Sequence, residues 1–280
     1  MTISLLSWEE AVRWYRDQPG NEAEVRDNYF DLPVLQAAER YAKGEEFAEV
    51  LRLLGAGENR RILEPGAGNG IASFALAGSG WVVTALEPDE SAEVGAGAIR
   101  EIVEQTGLPI NVVQEFGEQL PFEDESFDAI HARQVLHHAS DLDAMVRELA
   151  RVLRRGGLLL STREHVADDE QQLIAFRNEH PLHKLYGGEN AYPLEDYLKS
   201  FAKAGLRIKE TWGPLESILN FFPGTEQERQ IALRQVTNHS YFRLGRLLGW
   251  SDVFRQAQLR RHTQRDRTPG RIHSFLVEKP

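Results

Sequence analysis

Two sets of residues in this sequence have the types and spacing for chemistry. The first is Glu64-Pro65-Gly66-Ala67-Gly68-Asn69-Gly70, with glycines at alternate positions directly after a short apolar run. Glycines placed there let the backbone turn sharply and approach a ligand where any Cβ would intrude. The stretch that follows, Ile71 to about Ala77, reads as a helix whose first N–H groups and positive dipole end point at the turn, favouring a carboxylate or phosphate.

The second set is imidazole-rich. There are nine histidines and no cysteine, so disulfides, thiolate metal sites and a cysteine nucleophile are excluded together. Histidine is the side chain whose unperturbed pKa lies nearest neutrality, which makes it the natural proton acceptor.

Three nucleotide-type ligands use a glycine turn of this kind. A phosphate-cradling loop requires Gly-Lys-Ser/Thr at its end, and Asn69-Gly70-Ile71 has no lysine. A dinucleotide fingerprint requires a small residue where Ile71 stands, and the Glu64 carboxylate would repel a pyrophosphate. An NAD-dependent oxidoreductase is disfavoured on both counts. A ligand carrying an ammonium and a sulfonium would be attracted instead.

The turn needs a strand before it and a helix after it. Residues from Trp8 to about Leu54 read as helices, and Gly55 and Gly57 stop that pattern. From Arg61 short apolar runs alternate with amphipathic stretches, the signature of β-α units and a parallel sheet. Expected strands are Arg61–Glu64, Trp81–Glu87, Ile110–Gln114, Phe127–Ala132, Leu158–Arg163, Leu206–Trp212 and Arg271–Val277. After Ser140, the positions of Leu142, Met145, Val146, Leu149, Val152 and Leu153 make one helical face. Ser140 or Asp141 can cap that helix, and Arg154-Arg155-Gly156-Gly157 supplies cations and glycine at its end. A further helix is expected over Leu194–Ala204. The stretch from Gly213 to Gly270 is too long for a hairpin loop and is expected to be a helical insertion.

The fold class expected is α/β: a Rossmann-like, doubly wound, seven-stranded and mostly parallel sheet, with N-terminal helices and a helical insertion before the last strand. Residues 1–57 form a helical cap, residues 58–212 and 271–280 the core, and residues 213–270 the insertion.

Over about Arg61 to His165 the sequence resembles the class I S-adenosylmethionine-dependent methyltransferases, in the branch acting on quinones, sterols and other small molecules. Glu64 to Gly70 matches the family's first motif, and Glu87 its acidic residue at the end of the second strand. Leu120-Pro121-Phe122 with Ser126-Phe127-Asp128, Val135-Leu136-His137-His138 and Leu153-Arg154-Arg155-Gly156-Gly157 resemble three further segments. The resemblance implies S-adenosylmethionine as cofactor and S-adenosylhomocysteine as product. The methionine part would lie on Glu64, Gly66, Ala67, Gly68 and Gly70, with Arg133 beside them. The ribose hydroxyls would lie on Glu87, next to Pro88. Two carboxylate acceptors suit a cis-diol. Relatives commonly carry Asp-Ala-Glu for adenine where this chain has Phe116, Gly117 and Glu118. Phe116 could stack on the ring and the Gly117 N–H bond its edge, while the amino-group contact falls to Glu115 or Glu118. Tyr29 is expected to cap the cofactor pocket.

In open α/β sheets ligands bind beyond the carboxyl ends of the strands, here at Arg133, Gln134, His137 and His138 and at Arg163, Glu164 and His165. Transfer from a sulfonium is a displacement in which the protein aligns the nucleophile and excludes water; a base is needed only where the nucleophile must lose a proton. The catalytic candidates are His165 and His137, then His138. The dense stretch His180 to Tyr192 is expected to form a lid with substrate contacts at His183, Tyr186, Glu189 and Asn190, joined by Arg163. His180, His183 and Glu189 could offer metal ligands, but nothing in the sequence sets their geometry, and no metal is expected.

The expected function is methyl transfer to a small-molecule acceptor, first to a hydroxyl oxygen. Alternatives are carbon or nitrogen transfer to a quinone-like or other metabolite, and a cofactor-binding module without catalysis. A net charge of -11 argues against nucleic acid as partner, despite eight arginines from Arg234 to Arg267. No apolar run nears the roughly 20 residues of a membrane span, and no secretory signal opens the chain, so a cytoplasmic protein without integral membrane contact is expected. The insertion is a candidate homodimer surface.

Overall fold

The computed structural model describes residues 5–239 and 252–280. Arg243 and Arg246 of the arginine-rich stretch lie outside the described residues. In chain order the elements are α1 (Trp8–Arg16), α2 (Glu22–Asp27), α3 (Val34–Ala42), α4 (Glu45–Leu54), β1 (Arg61–Pro65), α5 (Ile71–Gly78), β2 (Val82–Leu86), α6 (Ala96–Thr106) and β3 (Ile110–Val113). There follow β4 (Phe127–Arg133), α7 (Leu142–Val152), β5 (Leu153–Val166), α8 (Glu170–Glu179), α9 (Pro181–Tyr186), α10 (Leu194–Lys203) and β6 (Arg207–Trp212). The chain closes with α11 (Glu226–His239), α12 (Asp252–Arg265) and β7 (Arg271–Glu278).

The seven strands form one sheet in the order β3-β2-β1-β4-β5-β7-β6. The first five are parallel neighbours, and β7 runs antiparallel between β5 and β6. Strand alternation sends successive side chains to opposite faces. Ile62 thus joins Val83, Ala85, Ala129 and the apolar sides of α3 to α6, while Leu63 joins Ile130, Leu159, Phe275 and the buried faces of α7 and α10. A central sheet covered on both faces explains why these strands read as continuous apolar runs.

The helix expected after Ser140 is α7, and Asp141 caps it, its Oδ1 accepting the Ala144 N–H at 2.9 Å. Its end differs from expectation. Leu153 already lies in β5, and Arg154 to Gly157 is strand rather than helix terminus. The backbone there is paired with the last strand: the Gly156 N–H bonds Lys279 O at 2.7 Å, and the Lys279 N–H bonds Gly157 O at 3.1 Å.

The expected single N-terminal cap divides into two parts. α3 and α4 bury Ala37, Ala38, Tyr41, Phe47 and Val50 in the core beneath the sheet. Ala11, Val12 and Tyr15 of α1 and Val25 of α2 instead pack with Val94 and Leu182 above the carboxyl ends of the strands. No helix among the described residues is long and apolar enough to cross a membrane.

Candidate functional site

Beyond the carboxyl ends of β1, β4 and β5 lies a cleft of about 770 Å³. β1 delivers Glu64 to it and then turns through Gly66, Gly68 and Gly70, all at positive φ. At Gly66 the requirement is steric as well as conformational, because a Cβ would stand 2.2 Å from Cγ2 of Val135. Gly66, Ala67 and Gly68 line the cleft; Gly70 does not. It is the left-handed residue that starts α5, facing Ile99.

Glu64 is 2% exposed and accepts a hydrogen bond from the Ser73 hydroxyl. Burial pushes its carboxyl up to about 8, against the opposing pull of Ser73 and Arg133. Glu87, one residue beyond β2, accepts the Gly68 N–H at Oε2 (2.7 Å) and the Asp89 N–H at Oε1 (2.9 Å). Burial raises its pKa, and those two amides oppose the rise. Each oxygen retains a second lone pair for a ligand hydroxyl.

Pro88, Phe116, Gly117, Glu118 and Arg133 also line the cleft. Phe116 is 69% exposed, an open aromatic face at the rim. Glu118 Oε1 accepts both the N–H and the hydroxyl of Ser140, at 2.9 and 3.0 Å. Arg133 is held in a bidentate pair by Glu46 of α4, at 2.7 and 3.2 Å, with Glu46 buried and Arg133 nearly so. Tyr29 is corrected. Its φ of 59° turns the ring into the core, where it is 3% exposed against Tyr41 and Phe222. Asn28 and Phe30 on either side line the cleft in its place, with Trp8.

The imidazoles converge on the same cleft. A register shift in the β5–β7 pairing between Ser161 and Glu164 accompanies a positive φ at Arg163, and it directs Glu164 inward. Glu164 is fully buried and accepts from Ser161 Oγ (2.8 Å), the His137 N–H (3.0 Å) and His137 Nδ1 (2.7 Å). His137 sits in the short turn after β4. Burial lowers its pKa, but the carboxylates of Glu164 and Glu189 outweigh this and lift it to about 9. His165 Nδ1 bonds Gly270 O at 2.8 Å, and burial together with His137 pulls its pKa down to about 3. His165 is therefore a neutral hydrogen-bonding group and a weak base. His138 lies beside His137, with ring centroids 4.2 Å apart.

Arg163 lines the cleft, buried, with Nε and Nη1 lacking hydrogen-bond partners. The expected lid is part helix. The His180 ring caps α9 by accepting the Leu182 N–H at 3.2 Å, Pro181 supplies the first turn, and Gly187 at φ 71° ends it. His183, Tyr186 and Glu189 face the cleft. Asn190 does not; its Oδ1 is taken by Arg177 at 3.3 Å. Burial raises the Glu189 pKa, and the imidazoles of His137, His138 and His165 overcome this, holding it down to about 2.

In the sequence Glu164 reads as a strand-end residue without a role, and nothing singles out Glu46. Both act through partners 27 and 87 residues away, at His137 and Arg133. No local spacing carries that information.

Residues 63–161 match the family described as Methyltransferase domain. The chain is 34% identical over 138 residues to the uncharacterized methyltransferase YcgJ of Bacillus subtilis, covering 49% of this chain and 53% of that protein. It is 28% identical over 166 residues to the ubiquinone biosynthesis O-methyltransferase of Agrobacterium fabrum, covering 58% and 65%. The chain thus spans about half to two thirds of the length of these curated relatives. The fold is shared with the geranyl diphosphate C-methyltransferase of Streptomyces coelicolor A3(2), at a TM-score of 0.58 and 11% identity, over 98% of each chain. A seven-stranded Rossmann-like sheet with a glycine turn at the end of β1 is thus accompanied, across residues 63–161, by a match to a methyltransferase domain.

Proposed function

We propose that this protein moves the methyl group of S-adenosylmethionine to the hydroxyl oxygen of a small molecule, releasing S-adenosylhomocysteine. The observation that carries the reading is that one cleft is lined both by the glycine turn with Glu64 and Glu87 and by the cluster of His137, His165, His183 and Glu189. Donor and acceptor can meet there without crossing solvent.

In this reading Glu64 and the amides of Gly66 to Gly68 hold the methionine part of the cofactor. Glu87 takes the ribose hydroxyls, Pro88 packs beside them, and Phe116, Gly117 and Glu118 border the adenine. Arg133, already paired with Glu46, shapes the floor. Arg163, with two unpartnered guanidinium nitrogens, supplies a cation for a carboxylate or for an anionic group on the acceptor. The acceptor hydroxyl lies against His165 and His137, under Tyr186 of α9. The protein aligns the oxygen with the sulfonium carbon and excludes water, and the reactivity is the cofactor's own. Oxygen as the acceptor atom is supported by the similarity to the ubiquinone biosynthesis O-methyltransferase of Agrobacterium fabrum. The reading includes a cytoplasmic setting and a homodimer through the helices between β6 and β7, which sedimentation at several concentrations tests.

Mass spectrometry of a cell extract incubated with the protein and methyl-labelled cofactor tests the proposal. Labelled small molecules bearing a new methyl ether are expected. Label confined to intact cofactor would contradict it.

A further inference from the structure

Four imidazoles surround one carboxylate in the cleft. Glu189 is 8% exposed, and its Oε1 is buried with no hydrogen-bond partner. Nε2 of His137 lies 3.4 Å and Nε2 of His138 4.0 Å from that oxygen, and Nε2 of His183 lies 3.6 Å from Oε2. One ligand atom each from His137, His165 and Glu189 all fall within 4.8 Å of one another.

The rings are oriented from behind. Nδ1 of His137 meets Glu164 Oε2 at 2.7 Å, Nδ1 of His165 meets Gly270 O at 2.8 Å, and Nδ1 of His183 meets Phe176 O at 3.1 Å. Each of these partners is an acceptor, so in the neutral ring the N–H sits on Nδ1 and Nε2 keeps its lone pair. A divalent ion bound here would take the place of the proton that His137 otherwise presents to Glu189. Metal-ligating histidines characteristically donate the other ring N–H to a carboxylate or a backbone carbonyl, and both arrangements occur here. Donors about 2.0–2.1 Å from a tetrahedral ion stand roughly 3.4 Å apart. The separation of His137 Nε2 and Glu189 Oε1 has that value.

We infer that His137, His165 and Glu189 form a binding site for a divalent first-row transition ion of the zinc class, with an open position toward the cleft. Two imidazoles and one carboxylate are a donor set of that class. This revises the expectation that no metal binds. His180, weighed from sequence as a ligand, instead turns its Nδ1 to the Leu182 N–H and caps α9.

The site deepens the methyl-transfer reading and, for the role of the ion, rests on it: the acceptor would be a molecule whose hydroxyl oxygen ligates the open position. A bound cation lowers the pKa of such a hydroxyl. The O–H proton leaves to solvent on binding. The oxygen then forms the new O–C bond while the C–S bond of the sulfonium breaks, its electron pair remaining on sulfur.

The full chain, stripped with a chelator, is titrated with Co²⁺ by visible absorption and with Zn²⁺ by competition, and S-adenosylmethionine is titrated separately by calorimetry. One saturable Co²⁺ site with the intense visible bands of low coordination is expected, displaced by Zn²⁺. Glu189→Gln, which keeps the side-chain shape, and His165→Ala are each expected to weaken Zn²⁺ binding by about a hundredfold. Far-UV circular dichroism reports that both variants are folded. Absence of a saturable Co²⁺ site, or unchanged Zn²⁺ affinity in folded Glu189→Gln, would overturn the inference and leave a proton-sharing cluster. Cofactor binding without Zn²⁺ binding overturns the metal site alone. Zn²⁺ binding without cofactor binding supports the site and overturns the methyl-transfer reading.

Discussion

Glu87 and Gly68 are joined by a 2.7 Å hydrogen bond from the Gly68 N–H to Oε2, so the acid beyond β2 organises the turn that follows β1. In the proposed reading, replacing Glu87 with Ala removes a ligand group and loosens that turn at the same time. Hydrogen bonds to a charged group are worth about 1.5–3 kcal/mol each, which predicts a loss of cofactor affinity of about tenfold to a hundredfold with the fold retained. Calorimetry with S-adenosylmethionine, alongside far-UV circular dichroism, checks this; unchanged affinity would remove Glu87 from the ribose site.

In the proposed reading, Glu64 links cofactor binding to protons. Burial raises its carboxyl to about 8, so near pH 6.5 it is protonated in the free protein. An ammonium arriving beside it favours the carboxylate, and binding should expel about one proton. Calorimetry in two buffers of different ionisation enthalpy reads that proton directly. Glu64→Gln should release none. The stability consequence has a defined sign. The folded pKa lies above the unfolded one, so the stabilising contribution is complete below about pH 4.5 and is lost as pH rises through about 8. Glu64→Gln should flatten that decline in thermal melts of the cofactor-free protein.

The Arg133–Glu46 pair fastens α4 to the end of β4, with side chains 13% and 2% exposed. Breaking a buried pair from one side strands the other charge and costs about 3–5 kcal/mol. Glu46→Gln should therefore lower the midpoint of urea unfolding markedly. Burial acts to raise the Glu46 pKa, but Arg133 and Arg163 outweigh it and the net shift is downward. This contribution is present above the unfolded carboxylate pKa and disappears as pH falls through the folded one. The difference between wild type and Glu46→Gln should shrink in acid, and a constant difference would contradict the ion pair.

Gly66→Ala meets two obstacles: a φ of 60° and a Cβ position 2.2 Å from Val135 Cγ2. Overpacking of this kind costs about 1–3 kcal/mol, and the displaced turn should also bind cofactor more weakly. Gly78, where an added Cβ meets nothing within 4 Å, is the control. Gly78→Ala should leave cofactor affinity unchanged, and equal effects of the two substitutions would refute the steric reading.

The parts of the fold legible in the sequence are those set by local pattern. The five parallel strands are apolar runs because both faces of the sheet are covered, and α7 repeats at helical spacing with Asp141 at its start. The glycine turn was legible because its constraint is local, a positive φ at three alternate positions. What escaped depends on distant partners. Arg154 to Gly157 looks like a helix end by composition, yet its hydrogen bonds come from Lys279. Tyr29 and Asn190 have suitable side chains at suitable positions, but a backbone turn buries the first and Arg177 holds the second. The Pro269-Gly270 turn, legible only as a turn, also supplies the carbonyl that orients His165.

The most direct measurement is a paired calorimetric titration of the purified chain with S-adenosylmethionine and with NAD. Saturable one-site binding of S-adenosylmethionine, weakened in Glu87→Ala, and no heat of binding from NAD are expected. Saturable NAD binding, or no binding of S-adenosylmethionine by the folded protein, would contradict the proposed reading.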